Sequence, residues 1–156
     1  MTEDARFEDG REAPLNLGAV DPEDVRVLAA LCQDAVFPIT EMLWLPRQRQ
    51  FALLLNRFRW EDRGRDRHAP ERVQSVLSFD GVLGVSSQGI NRRDKNTILS
   101  VLAIEWAPDA DGAGEILLHL AGDGAIRLRV EAIDARLKDV TRPYIAPSKQ
   151  APHHPE

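Results

Sequence analysis

From Ile39 onward the apolar residues of this chain recur at every second position, in segments separated by short polar or glycine-containing stretches. Alternation with a period of two marks strands that bury one face. Parallel strands would need crossovers of roughly a dozen residues or more, which connections this short do not supply. The chain therefore reads as antiparallel sheet. "ITEMLWL" and "QFALLLNRFRW" flank "PRQR" as the arms of a hairpin. "VQSVLSFDGVLGVSS" is long for one strand, and Gly81 and Gly84 in its middle mark a bulge or a sharp bend. "TILSVLAIEWA" and "EILLHLA" surround the turn-rich "PDADGAG", and "GDG" leads into "AIRLRV".

Ahead of the strands lies one helical pattern. In "DPEDVRVLAALCQDAV" Asp21 suits the N-cap, Pro22 the first helical position, and Glu23 and Asp24 the positive end of the helix dipole. Val25, Leu28, Ala29, Cys32, Ala35 and Val36 follow at helical spacing, and Pro38 is expected to end the helix. Near the other end, "VEAIDARLKDV" fits two patterns. Val130, Ile133, Leu137 and Val140 have helical spacing, whereas Ile133, Ala135 and Leu137 alternate with charged residues as a strand does. A helix here would give a pleckstrin-homology-like barrel closed by that helix, and a strand would give a larger open or rolled sheet. Either way the fold class is α+β, with one N-terminal amphipathic helix packed on a mostly antiparallel sheet of five to seven strands.

With 156 residues, the chain has the length of one domain with one core. Residues 1–13 lack an apolar period and read as a flexible acidic tail. Residues 14–141 read as the single globular domain, and 142–156, with Pro143, Pro147, Pro152 and Pro155, as a flexible proline-rich tail on which Tyr144 and Ile145 could dock. Residues 1–24 hold eight acids against Arg6 and Arg11, a local net of −6, so the formal charge of −5 leaves the rest at +1. A nearly neutral body argues against steering toward a highly charged partner. The lone Cys32 cannot form an internal bridge, the N-terminus has charges where a signal peptide needs an apolar run, and no apolar stretch is long enough to span a bilayer. A cytoplasmic protein without membrane association is expected.

The stretch "GVSSQGINRRDK" imitates two known motifs and satisfies neither. Gly84 and Gly89 have the spacing of a phosphate-binding loop, but Ile90 and Asn91 stand where lysine and a hydroxyl are needed, and the pattern that follows is a strand. A nucleophile elbow needs glycine where Gln88 stands. The loop does offer Ser87, Gln88, Asn91, Arg92, Arg93 and Lys95 together. Paired arginines at a strand exit can grip a carboxylate or phosphate by charge-assisted hydrogen bonds, although solvated loop charge has the same appearance. These six residues form the expected ligand- or partner-binding site.

A second cluster, "NRFRWEDRGRDRHAPER", interleaves Arg57 and Arg59 with Phe58 and Trp60. Such interleaving can stack bases and neutralise phosphates, so Arg57, Arg59 and Trp60 form a possible secondary basic patch. The competing reading is a strand whose aromatics face the core, followed by a surface loop of balanced charge. The histidines lack metal-ligand spacing, His119 alternates with apolar residues as a half-buried sheet residue, and Cys32 on a buried stripe lacks the electropositive, exposed setting of a reactive thiol. No catalytic residue, metal ligand or cofactor can be named.

The ordered blocks "DPEDVRVLAALCQDAV", "WLPRQRQFALLLNRFRWE", "GVSSQGINR", "LSVLAIEW" and "GDGAIRLRVEAIDARLKDV" together resemble the alphaproteobacterial domain-of-unknown-function family 2948, over roughly residues 15 to 140. The resemblance implies a small bacterial cytosolic protein and carries over no activity, cofactor or catalytic residue. The expected function is that of a non-catalytic binding or accessory module recognising an acidic group on a protein or small ligand. The alternatives are an enzyme or metabolite-binding regulator with a pocket between helix and sheet and, third, a single-stranded nucleic-acid binder.

Overall fold

The computed structural model describes residues 14–61 and 71–145. The expected acidic tail and most of the proline-rich tail lie outside them. The helix, α1 (Pro22–Cys32), begins as its sequence dictates: Asp21 Oδ1 accepts a hydrogen bond from the backbone N–H of Asp24, and Asp24 Oδ2 accepts one from Val20. Val25, Leu28 and Cys32 form its buried stripe. The helix stops at Cys32, well before Pro38. Asp34 takes a left-handed conformation (φ 65°), and Val36 then pairs with Asn56 and Ser100. Sheet pairing, rather than the proline, ends the helix.

The strands are β1 (Asn16–Ala19), β2 (Val36–Pro38), β3 (Met42–Leu45), β4 (Gln50–Phe58), β5 (Glu71–Phe79), β6 (Val82–Gln88), β7 (Ile98–Pro108), β8 (Gly114–Leu120), β9 (Ala125–Val130) and β10 (Ala135–Asp139), with the two-residue β11 (Tyr144–Ile145) as a further short pairing. Every pairing is antiparallel, in the order β1-β10-β5-β4-β2-β7-β8-β9-β6, with β3 joined to β4 and β11 to β5. The sheet thus has more strands than the five to seven expected, because β1, β2 and β11 are too short to show a period and the bend at Gly81 divides "VQSVLSFDGVLGVSS" into β5 and β6. The ambiguous "VEAIDARLKDV" resolves as a strand. Ala135, Leu137 and Asp139 are buried while Arg136 and Lys138 point outward, and β10 lies between β1 and β5. The sheet is α+β in company with α1 and is not closed into a barrel.

Bends and bulges let both halves of the sheet share one core. Gly81, with φ of 68°, turns β5 into β6, a conformation that costs residues with a Cβ roughly 1–2 kcal/mol. The register slips between Val82 and Gly84 in β6, and between Val101 and Ala103 in β7. Each bulge inserts an outward-facing leucine, Leu83 and Leu102, and shifts the buried set by one residue, so that in β7 Leu99 and Val101 are followed by Ile104. The core joins Phe51, Leu53 and Leu55 of β4 and Leu77 and Phe79 of β5 to Ile116, Leu118, Ile126 and Leu128 of β8 and β9, with α1 packed on β1, β4 and β7.

Candidate functional site

Sheet closure fails between β3 and β6. The hairpin "ITEMLWL"/"QFALLLNRFRW" forms with its turn at Pro46–Arg49, although residues 39–41 make a single 3₁₀ turn rather than strand. At one end Val82 N–H donates to Arg49 C=O at 2.8 Å, tying β6 to the start of β4. Beyond that tie, β3 pairs with β4 and β6 with β9, but not with each other. Met42 and Trp44 stand opposite the core residues Leu53 and Phe51, and Val85 and Ser87 opposite Leu128 and Ile126. All four side chains therefore point toward the interior, and the open seam leaves Met42, Trp44 and Val85 half-buried and Ser87 exposed.

The result is a groove of about 330 Å³. Ile39, Met42, Trp44, Phe51, Val85 and Ile126 give it apolar walls, and Thr40, Ser87, Arg92 and Lys95 give it a polar and cationic rim. The loop from β6 to β7 sets that rim. Gly89 (φ 69°) brings the chain so close to Asp123 and Gly124 that a Cβ there would stand 3.0 Å from Gly124 Cα. Asn91 Oδ1 then accepts from Arg93 N–H, Asp94 Oδ1 accepts from Asn96 N–H, and Ile39 N–H donates to Thr97 C=O, anchoring the loop beside β2. Among the described residues no carboxylate lies within ion-pair distance of Arg92, Arg93 or Lys95, in contrast to Arg26, Arg49 and Arg127.

Of the six expected loop residues, Ser87, Arg92 and Lys95 reach the groove. Gln88, Asn91 and Arg93 are exposed but do not line it, and the side chain of Asn91 shapes the turn. The apolar walls could not be foreseen. The parity of Met42, Trp44 and Val85 reads as ordinary core, and only the unclosed seam exposes them. The groove also lies away from α1, whose inner stripe is filled by core packing, so it is not the pocket expected between helix and sheet.

At the expected basic patch Arg57 and Arg59 are buried, while Trp60 is half-buried. Odd-numbered residues of β4 face the core, which places Arg57 in line with Phe51, Leu53 and Leu55. Arg57 is 0% exposed and Arg59 2%. Arg57 donates to both carboxylate oxygens of Glu61 at 2.8 Å, to Asp139 Oδ1 at 3.0 Å and to Ser75 Oγ at 3.0 Å. Burial opposes its charge, but Glu61 and Asp139 outweigh that and hold the guanidinium above its ordinary pKa. Asp139 also accepts from Ser75 Oγ and from Leu15 N–H, tying the chain ahead of β1 to this cluster. Arg59 donates to Glu71 at 2.6 Å, while Trp60 packs edge-on against Phe58 and its indole N–H donates to Gln33 C=O. Guanidinium groups engaged in this way do not offer a phosphate-binding face.

Cys32 is fully buried, and desolvation pushes its thiol up to about 12, so it is not a thiolate at neutral pH. His119 is half exposed on the outer face, with Nε2 2.8 Å from Glu105 Oε1. No group of three or more potential metal ligands occurs among the described residues. A second cavity, about 580 Å³, is lined by Pro14, Glu71, Asp139 and residues 140–143. Its buried acid, Asp139, is already saturated by internal donors.

Fold and groove together define an α+β protein whose antiparallel sheet coils around one core and leaves a cation-rimmed seam. The family model described as "Protein of unknown function (DUF2948)" matches residues 15–154, and the chain belongs to that family. No curated protein and no solved structure matches it. No helix among the described residues is long and apolar enough to cross a membrane.

Proposed function

We propose that the protein is a non-catalytic binding module whose groove takes an anionic group carried on an apolar body. The observation that carries this reading is the pairing of Arg92 and Lys95, which have no carboxylate partner among the described residues, with six apolar side chains in one cleft. A cation at the mouth of an apolar cleft gains most from a ligand that is itself divided into head and body. Arg92 and Lys95 grip the head, Ser87 and Thr40 supply hydroxyl hydrogen bonds, and Trp44, Met42 and Phe51 cover the body. The lining contains no histidine, cysteine or carboxylate among the described residues, which favours binding over acid–base or thiol chemistry. The buried reduced cysteine suits the cytoplasm.

The test is a titration with straight-chain carboxylates from hexanoate to dodecanoate, followed by Trp44 emission, with Trp44→Phe reporting the background from Trp60 and Trp106. Affinity should rise with chain length, since each buried methylene contributes about 0.8 kcal/mol. The Arg92→Ala/Lys95→Ala variant should bind at least about ten-fold more weakly, because a charged hydrogen bond contributes about 1.5–3 kcal/mol. Equal affinity of wild type and double variant, or no response at any chain length, would sink the reading.

A further inference from the structure

We infer that the occupant of the groove is an extended acidic peptide that adds as a strand to the free edge of β6. This rests on the reading of the groove as an anion-binding cleft and names the ligand class. Among the described residues β6 is the last strand of the pairing path, and β3 across the groove pairs with β4 alone, so both long walls are strand edges. Natural edges are usually blunted by charge, proline or a bulge. Here the bulge sits at the start of β6, and the regular stretch Val85, Ser86, Ser87, Gln88 carries neither charge nor proline; Met42–Leu45 on the other wall is likewise unblunted.

An aliphatic ligand binds through the apolar side chains yet desolvates backbone N–H and C=O groups along those edges without pairing them, so it should bind more weakly than a ligand that pairs them. A peptide strand pairs them and uses the inward pockets for alternate side chains. Every ladder in this sheet is antiparallel. Antiparallel addition to β6 places the peptide's N-terminal part beside the loop that follows Gln88, where Arg92 and Lys95 have no carboxylate partner among the described residues. The recognised pattern is therefore one or two acidic residues followed by apolar residues at alternate positions, the apolar ones lying against Val85, Trp44 and Phe51.

The probe is a pool of acetylated decapeptides with an acidic pair followed by alternating apolar and polar positions, presented to the full-length protein beside a pool in which the apolar residues are in one block. A member of the alternating pool should bind and slow amide exchange in residues 85–88. N-methylation of the peptide amides that face β6 should weaken it at least about ten-fold, the loss of one or two net hydrogen bonds. The Arg92→Glu/Lys95→Glu variant should lose binding. A peptide that binds with indifference to N-methylation overturns strand addition. If the carboxylates of the preceding titration bind and no peptide does, the peptide class is wrong and the anion groove stands. If neither binds, both readings fall.

Discussion

At Arg57 a guanidinium without solvent exposure is held by Glu61, Asp139 and Ser75 on the inward face of β4. Removing one partner of such a cluster leaves buried charge uncompensated, which costs about 3–5 kcal/mol. Arg57→Met should lower the urea-unfolding free energy by that amount, and a loss below about 1 kcal/mol would mean the cluster contributes little. Cys32 gives a pH signature. Its folded-state pKa is raised from 9.0 to about 12 by burial, so the unfolded chain releases a proton that the folded chain keeps. The contribution is fully present below pH 9 and is lost between about 9 and 12, at about 1.4 kcal/mol per pH unit. Between pH 9 and 10 the unfolding free energy of wild type should fall more steeply than that of Cys32→Ala; parallel slopes would contradict the burial assigned to the thiol. The alternation of Arg57, Phe58, Arg59 and Trp60 was visible in the sequence, but not which parity faced the core. Strand parity only counts residues from Phe51, and the carboxylate that neutralises Arg57 from β10 lies 82 residues away.

Among the elements, α1 was the most legible, because its cap, its first-turn acids and its stripe are all local. Its C-terminal end was not, since the pairing of Val36 with Asn56 and Ser100 competes with a helical pattern that continues to Val36. The bend at Gly81 and the bulge at Gly84 were signalled by glycine, whereas the bulge in β7 was hidden in the unbroken apolar run "LSVLAI". The loop from Gly89 to Thr97 positions the rim, and its entry depends on a left-handed residue packed against backbone. Gly89→Ala should cost about 1–2 kcal/mol in stability from the conformation alone. It should also weaken carboxylate binding by shifting Arg92, as read by the same Trp44 titration. Unchanged binding in a folded variant would show that the rim does not depend on that loop anchor.

On the scale of the whole molecule, the defining feature is a sheet that nearly meets itself and stops, tied by one backbone hydrogen bond from Val82 to Arg49 and left open from there. Antiparallel architecture and the single core were legible because every strand but the shortest carries its own period. The seam was not, because it depends on which strands fail to pair, a property of no segment by itself. Half of the site was accordingly visible as a cationic loop, while its apolar half looked like core. The most direct measurement is a ¹H–¹⁵N correlation spectrum of the full chain during titration with decanoate. Shifts concentrated at residues 39–44, 85–87 and 92–95 are the predicted result. A spectrum that stays unchanged, or one that moves only around Pro14 and residues 139–143, would contradict the assignment of the seam as the binding site.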